Sequence, residues 1–257
     1  MKIHNIKKLK NNKYQILLDN EIISTFDSVI LENNLLYKKE IDNVLYNKII
    51  QDTNYYNVYN KVEKLILKKM RSEKEIRLYL LKYELSQSQI EKIINKLKNI
   101  NLINDVEYCK AYINDKLYLS KRGINIIKKE LIQQNIDISI IENEIEKIDY
   151  GALNIKLEKI IKKKINANKK YSNSFLKRKI LNEMINLGYQ KTEILQIIEL
   201  NLKDDNKIIE REFYKLYNKL NKKYNSFELF NKIEQSLVLK GFNISEVKAM
   251  INKKTEE

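Results

Sequence analysis

Residues 180–198 read ILNEMINLGYQKTEILQII. Ile180, Met184 and Ile185 are spaced as one face of a helix, and Ile194 and Ile198 resume that spacing beyond Tyr189. Gly188 stands where the first helix should stop, because a helix commonly ends on one left-handed residue and glycine fills that place best. The stretch therefore reads as two helices joined by a tight turn. It recurs as IRLYLLKYELSQSQIEKII at 76–94, IKKELIQQNIDISIIENEI at 127–145 and IEQSLVLKGFNISEVKAMI at 233–251. Registered on Leu85, Ile136, Tyr189 and Phe242, the copies lie 51, 53 and 53 residues apart.

Five further columns align with that register. Ile76, Ile127, Ile180 and Ile233 form the first, and Leu80, Leu131, Met184 and Leu237 the second. Leu81, Ile132, Ile185 and Val238 follow directly. After the turn come Ile90, Ile141, Ile194 and Val247, then Ile94, Ile145, Ile198 and Ile251. All 24 positions are apolar in a chain that is 43% apolar, so composition alone does not account for them. Such a period marks a helical repeat array, in which neighbouring units bury one another's apolar faces.

Working outward, a further helical segment precedes each copy, so the unit has three helices. Val58, Val62, Leu65 and Ile66 build the first helix of unit one. Ser72 with Glu75 is a capping-box signature for the second, Ser86 caps the third, and Asp137–Ser139, Thr192 and Ser245 are the matching cap regions later on. The residue before each register position is Glu84, Asn135, Gly188 or Gly241, so three of the four turns suit a left-handed residue and the first is built differently. Residues 1–52 differ. Ile3–Leu9, Tyr14–Leu18 and Ile22–Phe26 read as strands with turns at Asn11–Lys13 and Asp19–Glu21, and Ile41 to Ile49 as a short helix. The expected fold is mainly α: tandem three-helix repeats in a curved elongated array behind a small three-stranded β meander. The expected divisions are 1–52 (the β-rich extension), then repeats at 53–103, 104–149, 150–204 and 205–257.

The absence of proline and the presence of only four glycines argue against a loop-rich or all-β chain. Net charge is +15, from 49 basic and 34 acidic residues, which favours nucleic acid, an anionic membrane surface or an acidic protein as partner. Part of the lysine excess reflects a bias toward A·T-rich codons. One cysteine permits no intrachain disulfide, MKIHNIKKLK lacks a signal-peptide core, and no apolar run nears a membrane span; a cytoplasmic protein is expected.

No catalytic constellation is found. His4, the sole histidine, reads as a solvent-facing strand residue, and Cys109, beside Tyr108 and Tyr112, as a buried structural thiol. One His and one Cys make no ordinary zinc site, and four dispersed glycines make no phosphate loop. Glu142, Glu144 and Glu146 read as solvated faces. No enzyme activity, cofactor or metal is expected.

Basic clusters remain. Unit one carries Arg71, Lys74, Arg77 and Lys82, unit two Lys121, Arg122, Lys128 and Lys129, and unit three Lys169, Lys170, Lys177, Arg178 and Lys179. These lie on or beside second helices, and each unit puts charge at or near the helix start, where free N–H groups add positive potential, so stacking is expected to align the starts as an anion stripe. Tyr118 and Tyr171 stand nearby as candidates to stack on bases. An ordinary solvated face is the competing reading of each single residue.

The segment MRSEKEIRLYLLKYELSQSQIEKIINKL at 70–97, followed by LINDVEYCKAY at 102–112, resembles the RecX family. Arg71, Ser72, Glu75, Ile76 and Leu80 match the family's R-S-x-x-E-[LIV]-x-x-x-L stretch, and Leu102, Asp105, Tyr108, Ala111 and Tyr112 a following acidic-aromatic stretch. Gly123, Ile127, Glu130 and Leu131 match K-G-P-x-x-I-x-x-E-L. Glu84 and Asn135 replace family glycines, Ile124 replaces the proline, and Lys121-Arg122 alters the spacing before Gly123. The N-terminal strands and the fourth unit look like longer members from low-G+C bacteria. The resemblance implies a regulator, mostly an inhibitor, of the RecA recombinase. It would bind as a monomer in the groove of RecA filaments on single-stranded DNA and modulate ATPase and strand exchange. The alternative is a free-standing basic helical-repeat protein that binds DNA or RNA without a recombinase.

Overall fold

The computed structural model describes residues 1–10, 12–202 and 205–256, the side chain of Asp205 excepted. It divides into two compact units: Met1–Tyr108 with Gln134–Ile136, and Cys109–Gln133 with Asp137–Glu257.

The first unit begins with an antiparallel meander of β1 (Ile3–Lys8), β2 (Lys13–Leu18) and β3 (Ile22–Phe26) in that order. In the first turn Asn12 is left-handed at φ 55°, while Asn11 lies outside the described residues. The second turn is closed by Leu18 N–H donating to Glu21 O at 2.9 Å. Asp19 there accepts from Lys2 N–H and pairs with His4, each at 2.8 Å, and these bonds hold its carboxyl below the ordinary value. Ile16, Leu18, Ile23 and Phe26 pack on Val29 and Ile30 of α1 (Asp27–Glu32) and on Ile49 and Tyr56 of α2 (Asn43–Lys68).

Helix α2 corrects one expectation. The short helix at Ile41–Ile49 and the first helix of unit one are a single 26-residue helix. Asp42 caps it by accepting from Leu45 N–H at 2.7 Å, and no glycine interrupts it. Its first half covers the sheet. Its second half puts Val58, Tyr59, Val62 and Ile66 into a core with α3 (Glu73–Leu80) and α4 (Gln87–Asn99). The change of buried face midway along α2 is what makes one helix read as two.

Three further triplets follow: α5 (Asp105–Leu119), α6 (Ile124–Gln133) and α7 (Ile138–Glu146); α8 (Tyr150–Ala167), α9 (Asn173–Asn186) and α10 (Lys191–Asn201); α11 (Asp205–Leu220), α12 (Ser226–Leu239) and α13 (Ile244–Thr255). The join expected at 203–206 falls partly on Lys203 and Asp204, outside the described residues. Full capping boxes form at Ser72 with Glu75 and at Ser86 with Gln89. Asp137 and Asn243 cap α7 and α13. Gln190, not Thr192, holds the cap position of α10, and its side chain makes no cap bond. Ser245 lies inside α13 and donates to Asn243 Oδ1 at 2.7 Å.

Three of the six apolar columns are buried in every copy, led by Ile76, Ile127, Ile180 and Ile233 at 1% exposure or less, and a fourth, the register column, is buried except at the half-buried Leu85. Each such side chain contributes roughly 2 kcal/mol of apolar burial. A fifth, at Ile94, Ile145, Ile198 and Ile251, is buried or half-buried. The sixth is not core: Leu81, Ile132, Ile185 and Val238 are all exposed, between 41% and 66%. They stand on the outer side of the last helical turn, one residue past the buried leucine column.

The repeats interlock through their turns. Asn135, Gly188 and Gly241 are left-handed, at φ 61°, 91° and 87°. Tyr189 N–H reaches Met184 O and Gly188 N–H reaches Ile185 O, the paired bonds of a Schellman turn, and Phe242 and Gly241 repeat them on Leu237 and Val238. Each turn then meets the start of the preceding repeat's second helix. Gly123 and Asn125 N–H donate to Leu187 O and Gly188 O at 2.6 and 3.0 Å. Ser172 N–H donates to Lys240 O at 3.0 Å and its hydroxyl to Gly241 O at 2.7 Å. Ser72 Oγ bonds Gln134 Oε1 at 3.0 Å. The turn at Glu84 has no earlier repeat to meet. Its bonds are local, with Tyr83 N–H to Leu80 O and Leu85 N–H to Tyr83 O, and Glu84 is not left-handed.

Candidate nucleic-acid interface

The interlock engages some of the N–H groups at the second-helix starts. At α6, Gly123 N–H just before the helix and Asn125 N–H in its first turn donate to carbonyls of the next repeat; at α9 the cap residue's Ser172 N–H does so, and at α3 Ser72 and Glu75 close a capping box. The basic side chains near these starts fall into two groups.

The first group clamps helix to helix. Arg77 Nε donates to Glu73 at 2.7 Å, and its two terminal nitrogens grip Glu91 of α4 at 2.6 and 2.9 Å. That fork holds the guanidinium charge above its ordinary range. Lys98 joins Glu73 at 2.5 Å. Burial pushes the Glu73 carboxyl up, but its bonds to Lys98 and Arg77 bring it below the ordinary value. Lys128 reaches Glu142 of α7 at 2.7 Å from the position equivalent to Arg77. Lys177 reaches Glu199 of α10 at 2.6 Å. Arg71 pairs with Glu75 at 3.3 Å, and Arg122 with Glu130, which also accepts from the Tyr112 hydroxyl at 2.7 Å. One expectation beside these pairs is corrected. Glu144 is buried and paired with Lys147 rather than solvated. Glu142 is exposed but engaged by Lys128.

The second group has no carboxylate partner among the described residues: Lys82, Lys121, Lys129, Arg178 and Lys179. Lys82 lies over the Tyr79 ring at 5.8 Å. Arg178 lies over Phe175 at 5.9 Å and Lys179 over Tyr171 at 5.7 Å. Lys74 stands in the first turn of α3, half-buried. Tyr171 stacks on Phe175 with ring centres 4.7 Å apart and carries Lys170 as well as Lys179, so its ring is already in use. Tyr118 is 69% exposed. Cys109 is fully buried.

Within the second unit, Lys121 and Lys179 share a groove with Lys163 and Lys164 of α8. It measures about 370 Å³ and has Ile160, Ala167 and Ile180 among its lining residues. Glu183 is its one acid and is bonded by Lys164, which leaves Lys121, Lys163 and Lys179 unpaired around it. Three ammonium groups on a concave, partly apolar surface can neutralise successive phosphates, which asks little geometric precision. Reading only second helices missed Lys163 and Lys164. Their signal was the run KIIKKK at 159–164. Lys162 pairs with Glu158, and on the preceding turn Lys156 donates to Leu117 O, with burial lowering its pKa. No described helix is long and apolar enough to cross a membrane.

No protein-family model matches the chain. "Regulatory protein RecX" of Bacillus cytotoxicus is 30% identical to it over 245 residues, covering 91% of this chain and 88% of that relative. The protein of the same name from Bacillus cereus strain G9842 is 29% identical over 268 residues, with 98% and 97% covered. Among solved structures, "Crystal structure of regulatory protein RecX" superposes with a TM-score of 0.68 at 21% identity, over 77% of this chain and 98% of that one. "Crystal structure of RecX from Lactobacillus salivarius" gives 0.53 at 25% identity, over 57% and 96%.

Proposed function

The chain belongs to the RecX family of regulatory proteins, and on that premise we propose that it regulates the RecA recombinase, mostly as an inhibitor, in the cytoplasm. It binds as a monomer in the groove of RecA filaments on single-stranded DNA and lowers their ATPase and strand-exchange activity. The observation that carries this reading is the 30% identity to a regulatory protein over 91% of the chain. The groove holding Lys121, Lys163 and Lys179 supports its nucleic-acid part, because these charges are not spent inside the fold. The four repeats, 53–103, 104–149, 150–204 and 205–257, are the working divisions of this reading, behind the extension at 1–52. Among the basic residues expected from the sequence, Lys74, Lys82, Lys121, Lys129, Arg178 and Lys179 are the ones assigned to the filament or its DNA. Arg71, Arg77, Arg122, Lys128 and Lys177 serve the fold first.

Titrating the protein into RecA filaments on single-stranded DNA, with ATP hydrolysis as readout, tests the proposal. Inhibition together with tighter binding to filaments than to bare DNA is expected. Equal affinity for both with unchanged hydrolysis would overturn it and leave the free-standing nucleic-acid-binding reading in its place.

A further inference from the structure

A second basic cavity lies wholly inside the first unit, where no sequence motif pointed. It is an open cleft of about 880 Å³ between the start of β2, the middle of α2 and one side chain of α4. Asn57, Asn60, Lys61 and Lys64 line it from α2, spaced as one helical face that is polar, while Val58, Val62 and Ile66 fill the core. Lys13 enters from β2 and Lys96 from α4.

These lysines are positioned without being neutralised. Lys13 lies 5.6 Å over the Phe26 ring, Lys61 5.0 Å over Tyr83, and Lys96 4.5 Å over Tyr59 and 5.1 Å over Tyr56. A ring face attracts an ammonium but leaves its charge in place. Among the described residues none of Lys13, Lys61, Lys64 and Lys96 is in an ion pair. The cleft's acids are Asp27, which accepts from Ser28 N–H at 2.8 Å, and Glu63. Lysines therefore outnumber acids by four to two in a concavity, which concentrates positive potential. Its shape excludes a flat lipid surface. Its asparagines can donate to phosphate oxygens and can pair with the exposed base edges of a single strand, which both donate and accept.

We propose that this cleft binds the phosphodiester backbone of a single-stranded nucleic acid, as a contact separate from the groove between α8 and α9. The inference rests on the nucleic-acid part of the proposed function and is independent of RecA. Its test uses the full chain and a labelled oligothymidylate without RecA, with anisotropy followed across salt concentrations. Three phosphate contacts at about 0.7 each give the Lys61→Gln/Lys64→Gln/Lys96→Gln variant a salt slope about 2 units shallower than the parent's. Between about 50 and 200 mM salt its affinity then falls roughly 20-fold less than the parent's does. Asn57→Asp, which adds one negative charge at an exposed position, should weaken binding in the same direction and serves if the triple variant does not fold. Parental affinity and slope in a folded triple variant overturn the proposal. So does loss of binding to polyglutamate with oligothymidylate binding intact, which would assign the cleft to an acidic protein. Absence of RecA inhibition by the parent protein would sink the regulatory reading and leave this one standing.

Discussion

Gly188 meets two constraints at once. Its φ of 91° is open to few other residues, and a Cβ there would stand 2.5 Å from Ile126 N in the preceding repeat. Its neighbour across the contact, Gly123, would place a Cβ 2.6 Å from Gly188 C and O. Gly188→Ala should therefore destabilise by about 3 kcal/mol or more, read from urea unfolding. Glu84→Gly should do the opposite of completing a motif. The native turn is not left-handed, so the added freedom of the unfolded chain costs about 0.5–1 kcal/mol. A stabilised Glu84→Gly protein would show that the first turn is strained. The basic residues divide in the same way. Arg77→Met removes the fork to Glu91 and should lower the thermal midpoint while leaving the salt slope of oligonucleotide binding unchanged. Lys121→Gln with Lys179→Gln should flatten that slope at an unchanged midpoint.

At the scale of the element, the helix caps do different amounts of work. Ser86 caps α4 alone on an exposed surface, so Ser86→Ala should cost about 1 kcal/mol. Ser172 caps α9 by accepting from Phe175 N–H and also donates to Gly241 O from a buried site. Its removal loses both the cap and the inter-repeat bond to Gly241 O, for about 2 kcal/mol by chemical denaturation. Equal losses at the two serines would mean that the interlock adds nothing. These starts and stops were readable in advance, because Ser-x-x-Glu and a terminal glycine are local signals. Helix α2 was not. Its apolar positions change face near residue 57, between Tyr56 of the sheet core and Val58 of the helical core, and no local signal separates that change from a break. The column Leu81, Ile132, Ile185 and Val238 misled for a related reason: periodicity records that a residue is apolar, and only packing decides which side of a helix is covered.

Over the whole molecule, stability should depend on acid. Burial pushes the Glu212 carboxyl up, but bonds from Lys240 at 3.0 Å and from Arg211 bring it below the ordinary 4.5, as Lys98 and Arg77 do for Glu73. Near that pH the unfolded chain then binds more protons than the native one. Stability is fully present above about pH 5 and is lost as pH falls through the native values. Thermal midpoints measured from about pH 7 down to about pH 3 should be level at first and then drop, and Glu212→Gln should make the drop shallower. An unchanged pH profile in that variant would remove Glu212 from the account.

The sequence by itself determined the repeat, its three-helix unit, most of its caps, the left-handed turns, the N-terminal strands and the membership resemblance. All of these rest on residues near one another in the chain, or on side-chain type at a fixed period. Tertiary structure decided which charges remain available. Arg77 and Lys121 are alike as letters, but Glu91 stands opposite one and a lysine-lined groove opposite the other. It also decided that the starts of α6 and α9 meet carbonyls of the next repeat, and that lysines from a strand and two helices share one cleft. Pairing and concavity depend on residues distant in sequence meeting in space, and net charge and periodicity carry no record of that.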